Sequence, residues 1–76
     1  MLVLPIKEID TLTMTVTDAI DLAAEGNVAD GCTALMAGLQ RAKEIAEEGV
    51  EWGPELVARW RLSCDNYARR YGVRLA

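Results

Sequence analysis

Gly26, Gly49 and Gly72 each close a run of helix-forming, periodically apolar sequence, and they stand 23 residues apart. Glycine just past a helix end takes the left-handed conformation without a Cβ clash, which lets the last carbonyls find donors. Three such stops in 76 residues predict three helices of similar length in one small all-α domain. The segments between the stops share few other identities, so the interval reflects helix length and not a sequence repeat. At Gly49 the neighbours Ile45 and Val50 fall where a Schellman closure places its hydrophobic contact, which predicts a stop near Glu48. Gly72 followed by Val73 repeats the pattern over Tyr67 and Ala68.

Two periodicities compete in the first segment. Thr11, Thr13, Thr15 and Thr17 alternate with Leu12, Met14 and Val16, as in a half-buried strand. The same stretch places Ile9, Leu12, Val16, Ala19, Ile20 and Ala23 at helical spacing. Asp10 is a good N-cap, with Ile9 and Met14 at the positions of a hydrophobic staple. A lone strand would have no partner in this chain, so a helix over 10–25 is expected. Residues 1–9, with Pro5, are expected to form a short extended arm that packs Leu2, Leu4 or Ile6 on the body.

The second helix is expected over 28–48, capped by Asn27. Its joint to the first helix is too short for anything but an antiparallel hairpin. Val28, Cys32, Leu35, Leu39, Ala42 and Ile45 form one stripe of this helix, and Gly31, Ala34, Gly38 and Ala42 form a second of very small side chains. Glycine inside a helix costs about 1 kcal/mol relative to alanine, so Gly31 and Gly38 imply that something approaches the backbone closely. That neighbour is either a helix of the same domain or a helix of a partner. The third helix is expected over 54–71, with Pro54 in the first turn. Val57, Trp60, Cys64, Tyr67 and Tyr71 make its buried face, and Trp52 in the preceding linker is expected to lie over the core as a lid.

Charge is divided along the chain. Residues 1–55 hold eleven acids against Lys7, Arg41 and Lys43, a balance of −8. Residues 56–76 hold Arg59, Arg61, Arg69, Arg70 and Arg74 against Asp65, a balance of +4. Helix-dipole preferences account for part of this layout, and the remainder can steer docking to a partner.

Most enzyme classes have no foothold here. With no histidine in the sequence, the commonest general base and metal ligand is missing. Cys32 and Cys64 have neither CxxC nor histidine spacing, so no metal or cofactor is expected, and both are expected as free thiols acting as small hydrophobes. Phosphate-binding and nucleophile-elbow motifs are absent, and Glu44, Glu47, Glu48 and Glu51 read as a solvated acidic face. No apolar stretch approaches the about 20 residues that span a bilayer, and the first residues lack the pattern of a signal peptide, so a cytoplasmic setting is expected.

Ala19, Leu22, Gly26, Gly31, Leu35 and Gly38, within residues 15–42, resemble a single tetratricopeptide-repeat hairpin, in which small and large residues alternate across two antiparallel helices. The chain departs from that family in lacking a large aromatic at the start of the first helix and a proline after the second. Its second helix also runs on to Glu48, and it has one unit where solenoids need several. The resemblance implies protein-binding helices.

The sequence thus predicts a non-catalytic module that binds another protein or a second copy of itself, with no small-molecule substrate evident. The residues singled out are Gly31, Ala34, Gly38 and Ala42, where a helix could approach, and Arg59, Arg61, Arg69 and Arg70, where acids could dock. Two other functions compete: a small nucleic-acid-binding regulator using the Arg-rich third helix, and an acidic inhibitor protein that blocks a basic groove.

Overall fold

The computed structural model describes residues 3–74 and contains three helices: α1 (Ile6–Ala24), α2 (Val28–Glu47) and α3 (Gly53–Tyr71). Helix α1 starts four residues before the expected Asp10 cap. Pro5 takes the N-cap place with φ −58° and ψ 141°, and its carbonyl accepts from the Glu8 and Ile9 amides at 3.0 and 3.2 Å. The extended arm is therefore shorter than residues 1–9. Leu4 is buried as the arm reading requires, whereas Ile6 is exposed and Leu2 lies outside the described residues.

The threonine alternation does not make a strand, because the hydroxyls serve the helix. Thr11, Thr15 and Thr17 donate to the carbonyls of Lys7, Thr11 and Thr13, four residues back, at 2.8 to 2.9 Å. This satisfies the polar group locally and leaves the apolar positions of α1 free to follow the helical period.

All three stop glycines have positive φ, at 90°, 85° and 64°. The six-to-one hydrogen bond of a Schellman closure forms at the first and third stops, from Asn27 to Leu22 (2.8 Å) and from Val73 to Ala68 (3.1 Å). At the second stop the observed bonds are shorter-range, from Glu48 to Ile45 and from Gly49 to Ala46, both 3.1 Å. Helix α2 ends at Glu47 and α3 begins at Gly53, each one residue before the bounds read from the sequence.

Cross-helix contacts fix the topology. Glu8 meets Arg41 and Ala19 meets Gly31, so α1 and α2 run antiparallel. Gly31 meets Tyr67, Gly38 meets Trp60 and Gly53 meets Ala46, so α2 and α3 are antiparallel as well. Helix α2 packs along both of the others, and α1 and α3, parallel to each other, touch over a shorter stretch. The core holds Leu4, Ala19, Leu35, Ala42, Leu56, Trp60, Cys64 and Tyr67, with Trp52 packed against it as the lid reading expected. One charged group joins them: Glu8 is buried and accepts a hydrogen bond from the Arg41 guanidinium at 3.0 Å.

The close approach along α2 comes from within the chain. A Cβ at position 38 would overlap the indole ring of Trp60. A Cβ at position 31 would overlap the Tyr67 hydroxyl and lie 2.9 Å from the Ala19 carbonyl oxygen. Alanine at either site gains about 1 kcal/mol of helix propensity, while overpacking of this kind costs about 1 to 3 kcal/mol. Gly38→Ala should therefore destabilise the fold by up to about 2 kcal/mol, and Gly38→Leu, which adds more volume against the indole, by more. Urea denaturation tests this, and an unchanged midpoint for both variants would show that Trp60 is not seated on Gly38.

Candidate functional site

Because α3 is amphipathic and packs through Leu56, Trp60, Cys64 and Tyr67, its polar residues are distributed around the remaining circumference. Arg59, Arg61, Arg69 and Arg70 are all exposed, but they do not form one patch. At about 100° per residue, Arg61 and Arg70 stand about 180° apart. Arg61 borders α2 and Arg70 borders α1. Arg69 projects away from the core between them. Arg59 holds Glu55, one turn earlier, at 3.2 Å, and the Arg70 guanidinium lies 5.5 Å from the centre of the Tyr71 ring.

Two clefts flank α3. The larger, about 500 Å³, runs between α2 and α3 and is lined by Met36, Leu39, Gln40 and Lys43 on one side and Arg61, Cys64 and Asp65 on the other. Cys64 is buried, and its thiol donates to the Leu35 carbonyl oxygen at 3.8 Å. The smaller cleft, about 120 Å³, lies between α1 and α3. Val16 and Ile20 face Ser63, Asn66, Tyr67, Arg70 and Tyr71 across it. The Tyr67 hydroxyl passes beneath, donating to the Val28 carbonyl oxygen at 2.8 Å, and the Tyr67 and Tyr71 rings tilt at 52° with centroids 4.7 Å apart.

The stripe of small residues is placed differently from the arginines. Gly31 is covered by Tyr67 and α1, Gly38 by Trp60, and Ala42 is 1% exposed. Ala34 and Gly38 keep partial exposure. These positions receive the chain's own helices, which corrects the expectation that a partner helix could approach there. Large apolar side chains are left on the surface of α1 and α3: Ile6 (77% exposed) and Met14 (65%), to which the sequence reading gave packing roles, and Leu62 (60%), which it passed over. Ile9, assigned to the α1 stripe, is 38% exposed. The signal was available in the angular positions of Met14 and Leu62, both off the buried stripes of their helices.

Neither thiol is in a disulfide, and Cys32 is only half-buried. Among the described residues no group of three or more Cys, Asp or Glu side chains is placed to hold a metal ion, and no helix is long and apolar enough to cross a membrane. No protein-family model, curated protein or solved structure matches the chain.

Two buried acids couple the fold to alkaline pH. Burial raises the Cys64 thiol above its ordinary 9.0, with further upward pressure from Asp65 and Cys32 and an opposing effect of Lys43. Burial also raises the Tyr67 phenol above 10.0, helped by Cys32 and Tyr71. The folded chain thus holds both protons more tightly than the unfolded chain, so this stability is complete below the unfolded values and is lost as pH rises from them through the raised folded values. Unfolding free energy should be flat between about pH 7 and 8 and should fall above about pH 9, with a shallower fall in Cys64→Ala and Tyr67→Phe. Equal alkaline slopes in the variants and the parent chain would remove both groups from that role.

Proposed function

We propose that this chain is a non-catalytic interaction module, acting in the cytoplasm, whose α1 and α3 surfaces bind another protein or a second copy of the chain. The observation that carries the reading is the exposure of Met14 and Leu62 on helices whose opposite faces already complete a core. Each is large enough that burial would stabilise a complex by about 1.5 to 3 kcal/mol. Both lie on strips that also hold exposed charge: Asp10 and Asp21 beside Met14, Arg59 beside Leu62. An apolar centre with a charged rim is the usual anatomy of a protein interface. The likeness of residues 15–42 to a tetratricopeptide-repeat hairpin supports the same kind of role, by analogy of architecture.

The nucleic-acid reading gains less support. A duplex would be met by a ridge of cations, and α3 sends Arg61 and Arg70 to opposite sides with acidic helices beside both.

A photo-crosslinking residue placed at position 14 or 62, in the cell that makes the protein, tests the reading. An adduct of defined larger mass is expected from both positions and none from Ala37, which is exposed on α2. Absence of any adduct from 14 and 62 would overturn it.

A further inference from the structure

The exposed charges of α1 and α3 repeat at the same interval. Asp10 and Asp21 are 11 residues apart, as are Arg59 and Arg70, and all four are exposed. Eleven residues make about three helical turns, so each pair lies on one strip with its members about 16 Å apart. The strips share a side of the molecule. Val16 and Ile20 of α1 look across the small cleft at Ser63, Asn66 and Arg70 of α3; at about 100° per residue Arg59 falls on the Arg70 side of α3, and Asp10 and Asp21 fall opposite the buried Ala19, on the side of α1 away from α2. Met14 lies on the acidic strip between its two aspartates, and Leu62 adjoins the basic strip between its two arginines.

We propose, building on the interaction-module reading, that this face docks onto the same face of a second copy of the chain across a two-fold axis. Ala19 and Tyr67 both pack on Gly31, which sets the level of α1 against the parallel α3. A two-fold axis parallel to the helices, midway between α1 and α3 in the plane of the contact, lays the partner's α1 parallel over α3. That operation carries the partner's Asp10 to within about one residue of the level of Arg59 and, in the same register, the partner's Asp21 to within about one residue of the level of Arg70. One registration satisfies both pairs, and symmetry doubles them to four. Each Met14 then lies at the level of the partner's Leu62. An isologous contact needs such self-complementarity.

The area suffices. Two helices of 19 residues side by side, each about 28 Å long and about 10 Å across, project about 560 Å², and the accessible surface of a corrugated face exceeds its projection. Stable interfaces begin near 600 Å² per partner, so the dimer belongs at the lower end of the range and is concentration-dependent.

Charge exchange tests the geometry. Sedimentation equilibrium of the unmodified chain, up to about 1 mM, should show reversible dimerisation of the 8.3 kDa protomer. Arg59→Asp with Arg70→Asp makes both strips acidic, and Asp10→Arg with Asp21→Arg makes both basic. Each double variant alone should dimerise at least about tenfold more weakly. An equimolar mixture of the two should recover a heterodimer, since every contact in it is again between opposite charges. Unchanged circular dichroism of both variants keeps loss of folding out of the comparison, and these side chains are all exposed. A parent chain that remains monomeric throughout overturns the proposal. So does a dimer indifferent to both double variants, with no gain on mixing. Crosslinks from positions 14 and 62 to a foreign protein only, with the pure chain monomeric, overturn self-docking and leave the interaction reading standing; a monomer without crosslinks removes both.

Discussion

The indole of Trp60 rests where any side chain at position 38 would begin, and the rest of the fold is arranged around that contact. Seven residues away on each helix, the Tyr67 ring occupies the same relation to Gly31. Two turns therefore separate two rings on α3 and two glycines on α2, which admits one register of the antiparallel pair. Trp60 is 2% exposed and Tyr67 4%, so each glycine is matched by a large buried ring. The helix propensity lost at each glycine is about 1 kcal/mol, whereas full burial of a large apolar side chain contributes about 1.5 to 3 kcal/mol. Packing wins over propensity at both positions. The Tyr67 hydroxyl meets the Val28 carbonyl, so even the polar end of that ring is satisfied on α2.

Once α2 is committed to α3 in this way, α1 has a limited part left to take. It reaches Gly31 through Ala19, a side chain small enough to share the site with Tyr67, and is tied to α2 at its other end by Glu8 and Arg41. A buried carboxylate needs such a partner, since removing charge from water without one is costly. The result is a central α2 with α1 and α3 side by side and only a short contact between them. The cleft between α1 and α3 is a direct consequence of the ring-on-glycine register.

Much of this was legible in the residue pattern. The glycine stops, the short joint at Gly26 and Asn27 and the aromatic stripe of α3 predicted three helices, the first two an antiparallel hairpin, and Gly31 and Gly38 announced a close approach. What occupied that approach was not legible, because small residues record that space is needed and not which neighbour takes it. The start of α1 was misplaced for a different reason. Asp10 is a good cap in isolation, but Pro5 supplies a pre-set φ and a free carbonyl one turn earlier, and Ile6 to Ile9 continue the helix without strain. Glu8 was consequently left in an arm, and its pairing with Arg41 went unseen. The four arginines were grouped because they are close in sequence; their helical angles divide them between two clefts and the outer surface.

Along the sequence the charge reads as an acidic body followed by a basic tail, which suggests a molecule with two poles. Folding removes that polarity. Since α1 and α3 run parallel and adjacent, the acids of one and the arginines of the other lie side by side on a common face. Single exposed apolar residues need no explanation on a small protein, where a surface cannot be wholly polar. Met14 and Leu62 differ in position, because each lies between two like charges of its own helix and on the same side of the molecule as the other. A solubility role would be served by charge in any arrangement, and a core role would bury the two side chains. In the proposed self-docking, apolar groups set within oppositely charged strips of equal span meet the inverse pattern, which the same face turned through a two-fold axis carries.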